Sequence, residues 1–332
     1  MNVTDENLKM LFQAFGENND TAFYRIAESI IANELAANHH TFANELRRSL
    51  GQNKLMQNNS KANKLTALPK DRRYGDELVF VQESKIDCTK IVFVEKTKIR
   101  IERILTEYQK RKQLAKYGFS PKSKLLFWGP PGCGKTLTAS YIAHELGLPI
   151  GIVRLNAVIS SFLGDTASHL QRVFDLANST PMVLLIDEVD AIGKNRDDAN
   201  DVGELKRVVN GLLQAIDFFT SSRSIIVAAS NHQYLLDPAL WRRFDDIIHF
   251  PIPGSIERKR YLSLLLNGVH HSGSLGDIIT KMDELSFADI EKITIESLKT
   301  MVLAGRKELM IDDLLDQIEI HRENLKATKN GN

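Results

Sequence analysis

The segment with the most chemical content is Gly129-Pro130-Pro131-Gly132-Cys133-Gly134-Lys135-Thr136, with Leu137 next. The apolar run Leu125-Leu126-Phe127-Trp128 precedes it, and a helix-like stretch, residues 137–146, follows. Strand, glycine loop and helix in that order are what a phosphate-binding loop requires. Glycines let backbone N–H groups turn inward around the β- and γ-phosphates, because no Cβ blocks the approach. Lys135 supplies a point charge to the phosphates, and Thr136 offers a hydroxyl to Mg²⁺. The helix N-terminus adds its dipole. Residues 129–137 are therefore the candidate site for a nucleoside triphosphate.

Two further strand ends carry polar groups suited to the same chemistry. Met182-Val183-Leu184-Leu185-Ile186 is an apolar run that stops at Asp187-Glu188. Acids at the carboxyl end of a parallel strand face the ligand crevice. Asp187 is then placed to hold Mg²⁺ through its water shell, and Glu188 to polarise the water that attacks the γ-phosphorus. Ile225-Ile226-Val227-Ala228-Ala229-Ser230 repeats the pattern and ends in Asn231, whose amide can bond both the attacking water and the γ-phosphate. In Leu236-Asp237-Pro238-Ala239-Leu240-Trp241-Arg242-Arg243-Phe244-Asp245, the Asp-Pro pair is an N-cap with proline at the first helical position. Arg242 and Arg243 follow that short helix. Phosphoryl transfer needs cations where negative charge builds, worth about 10³–10⁵ in rate from one arginine. With one phosphate loop per chain, these arginines are expected to reach a neighbouring subunit's site.

The elements that must position these groups follow from periodicity. Strands are expected at about residues 125–128, 150–155, 182–186, 225–229 and 247–250. Helices are expected between them at about 137–146, 166–177 and 203–217. Alternation of this kind predicts an α/β fold, a parallel sheet flanked by helices. After Pro253 the pattern is all helical, at about 256–266, 275–282, 287–303 and 311–322, which predicts a helical lid. Upstream, residues 78–81 and 91–94 read as a hairpin, and a charged helix covers about 96–117. Residues 1–52 read as a small all-α N-terminal domain, with Leu8, Leu11, Phe12 and Phe15 at helical spacing. The expected layout is thus 1–52 helical, 53–76 linker, 77–119 hairpin and lead-in helix, 120–253 nucleotide-binding domain and 254–332 lid.

Bulk composition narrows the function classes. Lys+Arg 43 against Asp+Glu 42 leaves a net charge of +1, so no bulk attraction to nucleic acid or anionic membrane is indicated. Two cysteines, Cys88 and Cys133, do not make a disulfide framework, and Cys133 lies inside the phosphate loop. A reducing cytoplasm fits that usage. No apolar run approaches the ~20 residues that span a bilayer.

Taken together, residues 129–136, 184–190, 226–231 and 236–245 resemble the ordered motifs of the AAA ATPases. The resemblance covers about residues 97–320. It implies ATP and Mg²⁺ as ligands, ATP hydrolysis, and a homo-oligomeric ring, usually of six subunits, with nucleotide between protomers. It implies that Arg242 and Arg243 act in trans. The usual spacer between the two is missing, and Arg243, which precedes Phe-Asp as in the family, is the favoured finger. Ser286-Phe287-Ala288-Asp289-Ile290 resembles the lid segment where relatives carry Gly-Ala-Asp, without a second-sensor arginine. Phe162-Leu163-Gly164, just before the helix cap Asp165-Thr166, matches the loop that lines the central pore and grips extended polypeptide. The loop Lys194-Asn195-Arg196-Asp197-Asp198 is an auxiliary pore-loop candidate. The implied function is remodelling or threading of a protein substrate. The N-terminal helices also resemble those of bacterial AAA ATPases paired with subtilisin-like serine proteases, which implies such a protease as partner. An ATP-switched scaffold and a DNA-handling ATPase are the alternatives.

Overall fold

The computed structural model describes residues 77–330 apart from 85, 160–165, 193–201, 233 and 235–237, together with positions 26, 30 and 69. The chain divides into two compact units, residues 1–67 and 68–332. In the first unit Ile26 and Ile30 are helical. The expected N-terminal helices otherwise lie outside the described residues, as do the linker apart from Pro69, Phe162-Leu163-Gly164, and the loop at 194–198.

The second unit is built on a six-stranded sheet. Its strands are β1 (Val79–Glu83), β2 (Lys124–Trp128), β3 (Pro149–Val153), β4 (Val183–Ile186), β5 (Ile225–Ser230) and β6 (Asp246–His249), in the order β1-β3-β4-β5-β2-β6. All neighbours are parallel except β1, which runs antiparallel to β3 with Val79 opposite Val153. The crossover that leaves β2 runs to β3 on one side, and the connection that leaves β5 passes β2 to reach β6 on the other. A switch point of this kind opens a crevice at the carboxyl ends of the central strands.

The period-2 side-chain pattern sorts the strands onto two cores. Leu126, Leu184, Ile186, Ile226 and Ala228 face α5 (Thr166–Ser179) and α6 (Val202–Phe218). Leu125, Phe127, Val183, Leu185, Ile225, Val227 and Ala229 face α1 (Glu95–Gln109) and α3 (Lys135–Glu145). All four residues of β4 and all six of β5 are buried, as strands covered on both faces must be. That is why both read as unbroken apolar runs.

Three local expectations are corrected. Residues 78–81 and 91–94 do not pair as a hairpin: β1 adds to the sheet edge on β3, and residues 91–94 form no strand but lead into α1 with Val92 buried. The helix expected over 96–117 is broken at Lys110 into α1 and α2 (Arg111–Lys116). The strand expected over 150–155 stops at Val153, and Leu155 opens a one-turn helix, α4 (Leu155–Ile159).

Beyond the short α7 (Pro238–Trp241), the lid comprises α8 (Ser255–Leu265), α9 (Leu275–Lys281), α10 (Phe287–Leu303) and α11 (Ile311–Asn330). A two-stranded parallel pair, β7 (His270–His271) and β8 (Glu308–Leu309), ties its loops. Leu262, Ile278, Met282, Ile290, Ile293, Leu314 and Ile318 give the lid its own core. Among the described residues no helix is long and apolar enough to cross a membrane.

Candidate nucleotide site

The loop between β2 and α3 is held in a shape that needs its glycines. Gly129 has φ +148°, and a Cβ there would strike the Phe250 carbonyl. Gly132 has φ +74° and faces Ser286 and Ala288 of the lid with no room for a side chain. The loop therefore runs between the sheet and the N-terminus of α10, and Ala288 N–H donates to Gly132 O at 3.2 Å.

Lys135 opens α3 and folds back over the loop. Its Nζ donates to the carbonyls of Gly129 at 2.7 Å and Pro130 at 2.8 Å. The side chain is buried, and loss of hydration pushes the ammonium's pKa below the ordinary lysine value, with Asp187 and Asp190 acting in the opposite sense. A desolvated cation at a helix N-terminus is an anion site, and phosphate oxygens are better acceptors for it than two carbonyls. Cys133 packs into the core beneath the loop, where burial raises its thiol pKa and keeps it protonated.

The structure brings Thr136 and Asp187 together: Thr136 Oγ1 donates to Asp187 Oδ2 at 2.6 Å. One hydroxyl and one carboxylate on adjacent elements suit Mg²⁺, which takes one or two protein oxygens and completes its shell with phosphate and water. Asp187 Oδ1 accepts from Glu188 N–H at 2.9 Å. Glu188 has φ +51°, a left-handed conformation that costs a non-glycine residue about 1–2 kcal/mol. The local bond to Asp187 helps hold that turn, which leaves the Glu188 side chain exposed beside the loop.

Asn231 follows β5, and its neighbour Ser230 accepts from Gly129 N–H through its carbonyl at 3.3 Å. Asn231 N–H donates to Asp190 Oδ1 at 3.3 Å. Asp190 is buried at 3% exposure and so fixes the Asn231 backbone against the turn after β4. Its signal in the sequence was only a third acid behind the Asp-Glu pair.

Of the two arginines, Arg243 is anchored within its own chain. Its Nε donates to Asp217 Oδ2 at 2.8 Å and its Nη1 to Ala239 O at 2.9 Å, which leaves Nη2 with donors to spare. Arg242 is exposed. Trp241, just before them, meets Trp128 edge-on at 6.2 Å between ring centroids. Trp128 in turn stacks on His249 at 3.9 Å, whose pKa burial lowers. Trp241, the residue before the arginine pair, is thereby packed against the strand residue that leads into the phosphate loop.

Comparison with known proteins agrees with this geometry. Residues 125–252 match the ATPase family associated with various cellular activities, AAA. The chain is 33% identical over 311 residues to the uncharacterised AAA family ATPase y4kL of Sinorhizobium fredii, covering 93% of this chain and 92% of that one. It is 36% identical over 211 residues to the proteasome-activating nucleotidase of Thermococcus onnurineus, covering 61% of this chain and 53% of the relative. Against the proteasome-activating nucleotidase of Sulfurisphaera tokodaii it is 36% identical over 219 residues, 63% and 56% of the two chains. The chain thus spans about half the length of these nucleotidases. Identity of 33% across 93% of this chain to one AAA ATPase, on a mostly parallel sheet with its phosphate loop at the switch point, means that the chain belongs to the AAA family of ATPases.

Proposed function

We propose that the protein binds Mg-ATP at residues 129–137 and hydrolyses it at the interfaces of a homo-oligomeric ring. The observation that carries this reading is the convergence of Lys135 Nζ, the Thr136 hydroxyl and the Asp187 carboxylate at the carboxyl ends of β2 and β4. Lys135 and the loop N–H groups bind and orient the phosphates. Thr136 and Asp187 would hold Mg²⁺, which would supply positive charge to the phosphates. Glu188, turned outward by its left-handed backbone, takes the proton of the attacking water, and Asn231 orients that water against the γ-phosphate. Arg243 and Arg242 of one copy supply cations to the site of the next. Anchoring Arg243 through Nε and Nη1 pre-orders its guanidinium, so less freedom is lost when Nη2 engages a phosphate.

The work done with that ATP is proposed to be remodelling or threading of a protein substrate in the cytoplasm. The similarity to proteasome-activating nucleotidases supports a protein substrate and a ring. Phe162-Leu163-Gly164 is the proposed pore grip, resting on sequence resemblance alone, as does a subtilisin-like protease as partner. Phosphate release by the purified protein, with and without an unfolded protein substrate, tests the reading. Turnover that rises with substrate and falls with Phe162→Ala is expected. Turnover indifferent to both would instead fit the ATP-switched scaffold.

A further inference from the structure

We infer that His321 is a positioning residue for the nucleotide site, holding the N-terminus of α10 against the phosphate loop through Asp289. The inference rests on residues 129–137 being that site. The chain of contacts starts at the loop. Ala288 N–H donates to Gly132 O, and Ser286 occupies the space beside Gly132 that a side chain would need. Ser286 is also the N-cap of α10, in a reciprocal capping box with Asp289. Asp289 Oδ2 accepts from Ser286 N–H at 2.9 Å and from Ser286 Oγ at 2.6 Å. The second oxygen, Oδ1, faces His321 Nε2 of α11 at 3.0 Å. One carboxylate therefore joins the cap that touches the loop to a helix far along the chain.

The direction of that bond is fixed by chemistry. An ionised carboxylate only accepts, so Nε2 of His321 carries the proton. His321 is 9% exposed, so little water competes for the bond. Loss of His321 leaves both capping bonds of Asp289 in place. Helix α10 then stays capped and stays joined to α11 through the Ser297 Oγ bond to Asp313 O at 3.1 Å, while the tie from its first turn, Asp289 to His321, is lost. The lid's hydrophobic core, which joins Ile290 and Ile293 of α10 to Leu314 and Ile318 of α11, keeps all its apolar side chains when His321 is replaced. Removing the imidazole is thus expected to loosen where the cap sits on Gly132 without unfolding the lid. This separates a positioning role from a structural one. Gln can donate from its side-chain amide at a similar reach, whereas Leu fills the volume without a donor.

The test uses the full chain and two readouts. Equilibrium binding of a fluorescent ATP analogue with Mg²⁺ is expected to weaken about tenfold in His321→Leu and to return to within about twofold of wild type in His321→Gln, a tenfold loss being about 1.4 kcal/mol. Hydrogen exchange in nucleotide-free protein is expected to quicken at the Ala288 amide in His321→Leu and not in His321→Gln, at unchanged melting temperature. Wild-type affinity and wild-type exchange at Ala288 in His321→Leu would overturn the inference. If His321→Leu fails to fold, His321→Ala is read in its place by the same two measurements. A wild-type chain that binds no ATP analogue would sink the site assignment instead, and the exchange comparison would still decide the His321 contact.

Discussion

Thr136 and Asp187 meet at 2.6 Å, hydroxyl to carboxylate, although they belong to different strand–loop units. That contact joins strand ends whose relative level is set by the register through β5: Trp128 pairs with Ser230 and Ile186 with Ala228, so β2 runs two residues beyond β4. A metal bound between them reads the relative position of the phosphate loop and the acidic strand end. Asp187→Ala is expected to weaken Mg-ATP binding about tenfold while leaving Mg²⁺-free nucleotide binding much less affected, checked by calorimetry with and without EDTA.

Lys135→Ala removes the only side-chain ammonium in the loop, and one charge-assisted contact to phosphate is worth about 1.5–3 kcal/mol. An affinity loss of about 10- to 100-fold is expected in the same calorimeter. The lowered pKa of Lys135 adds a pH signature. Phosphate raises that pKa again, so between the free and bound values binding takes up a proton. Affinity should therefore fall as pH climbs toward the ordinary lysine range. Proton uptake, read from buffers of different ionisation enthalpy, checks the sign.

Glu188→Gln keeps the size and the exposed position of the side chain but not its basicity. Turnover is expected to fall by about 10²–10⁴. Nucleotide affinity should stay close to wild type, because Glu188 bonds Asp187 through its backbone N–H, which the substitution leaves in place. Phosphate release and calorimetry on one preparation separate the two effects.

The two tryptophans of the chain are Trp128 and Trp241, and they touch. Because Trp128 leads directly into the phosphate loop, intrinsic fluorescence is expected to change on ATP binding. Trp241→Phe should retain ATP binding and keep a response from Trp128. A response lost entirely in Trp241→Phe, with binding intact, would place its source at Trp241 instead.

Asp246 at the start of β6 is 6% exposed and is paired with both Arg100 and Lys122. The cations are themselves partly solvated, so removing the acid strands neither in a dry interior. Asp246→Ala is expected to cost about 2 kcal/mol rather than the larger figure for a wholly buried pair. That lowers the melting temperature by about 4–8 °C in a domain of this size.

Much of the site could be seen in the sequence because its parts are local. Lys135 and Thr136 sit a few residues from the glycines that shape the loop, and Asp187 ends an apolar run whose burial is evident. The features that were not legible depend on distant chain. Residues 91–94 have strand-like composition, yet β1 pairs with β3, since an edge on the sheet buries Val79 completely. Asp190 under Asn231, Asp217 beneath Arg243 and His321 behind Asp289 are single polar residues whose meaning comes from partners more than 20 positions away. Neither periodicity nor spacing carries that information.

The central claim is that ATP is cleaved between copies, one giving the phosphate loop and the next giving arginine. Mixing Lys135→Ala protein with a variant lacking both Arg242 and Arg243 tests it most directly, because each alone should be nearly inactive. Phosphate release recovering in the mixture, through interfaces that join an intact loop to intact arginines, is the predicted result. A mixture as inactive as its parts, or a wild-type chain that turns over at full rate as a dilute monomer, would contradict it.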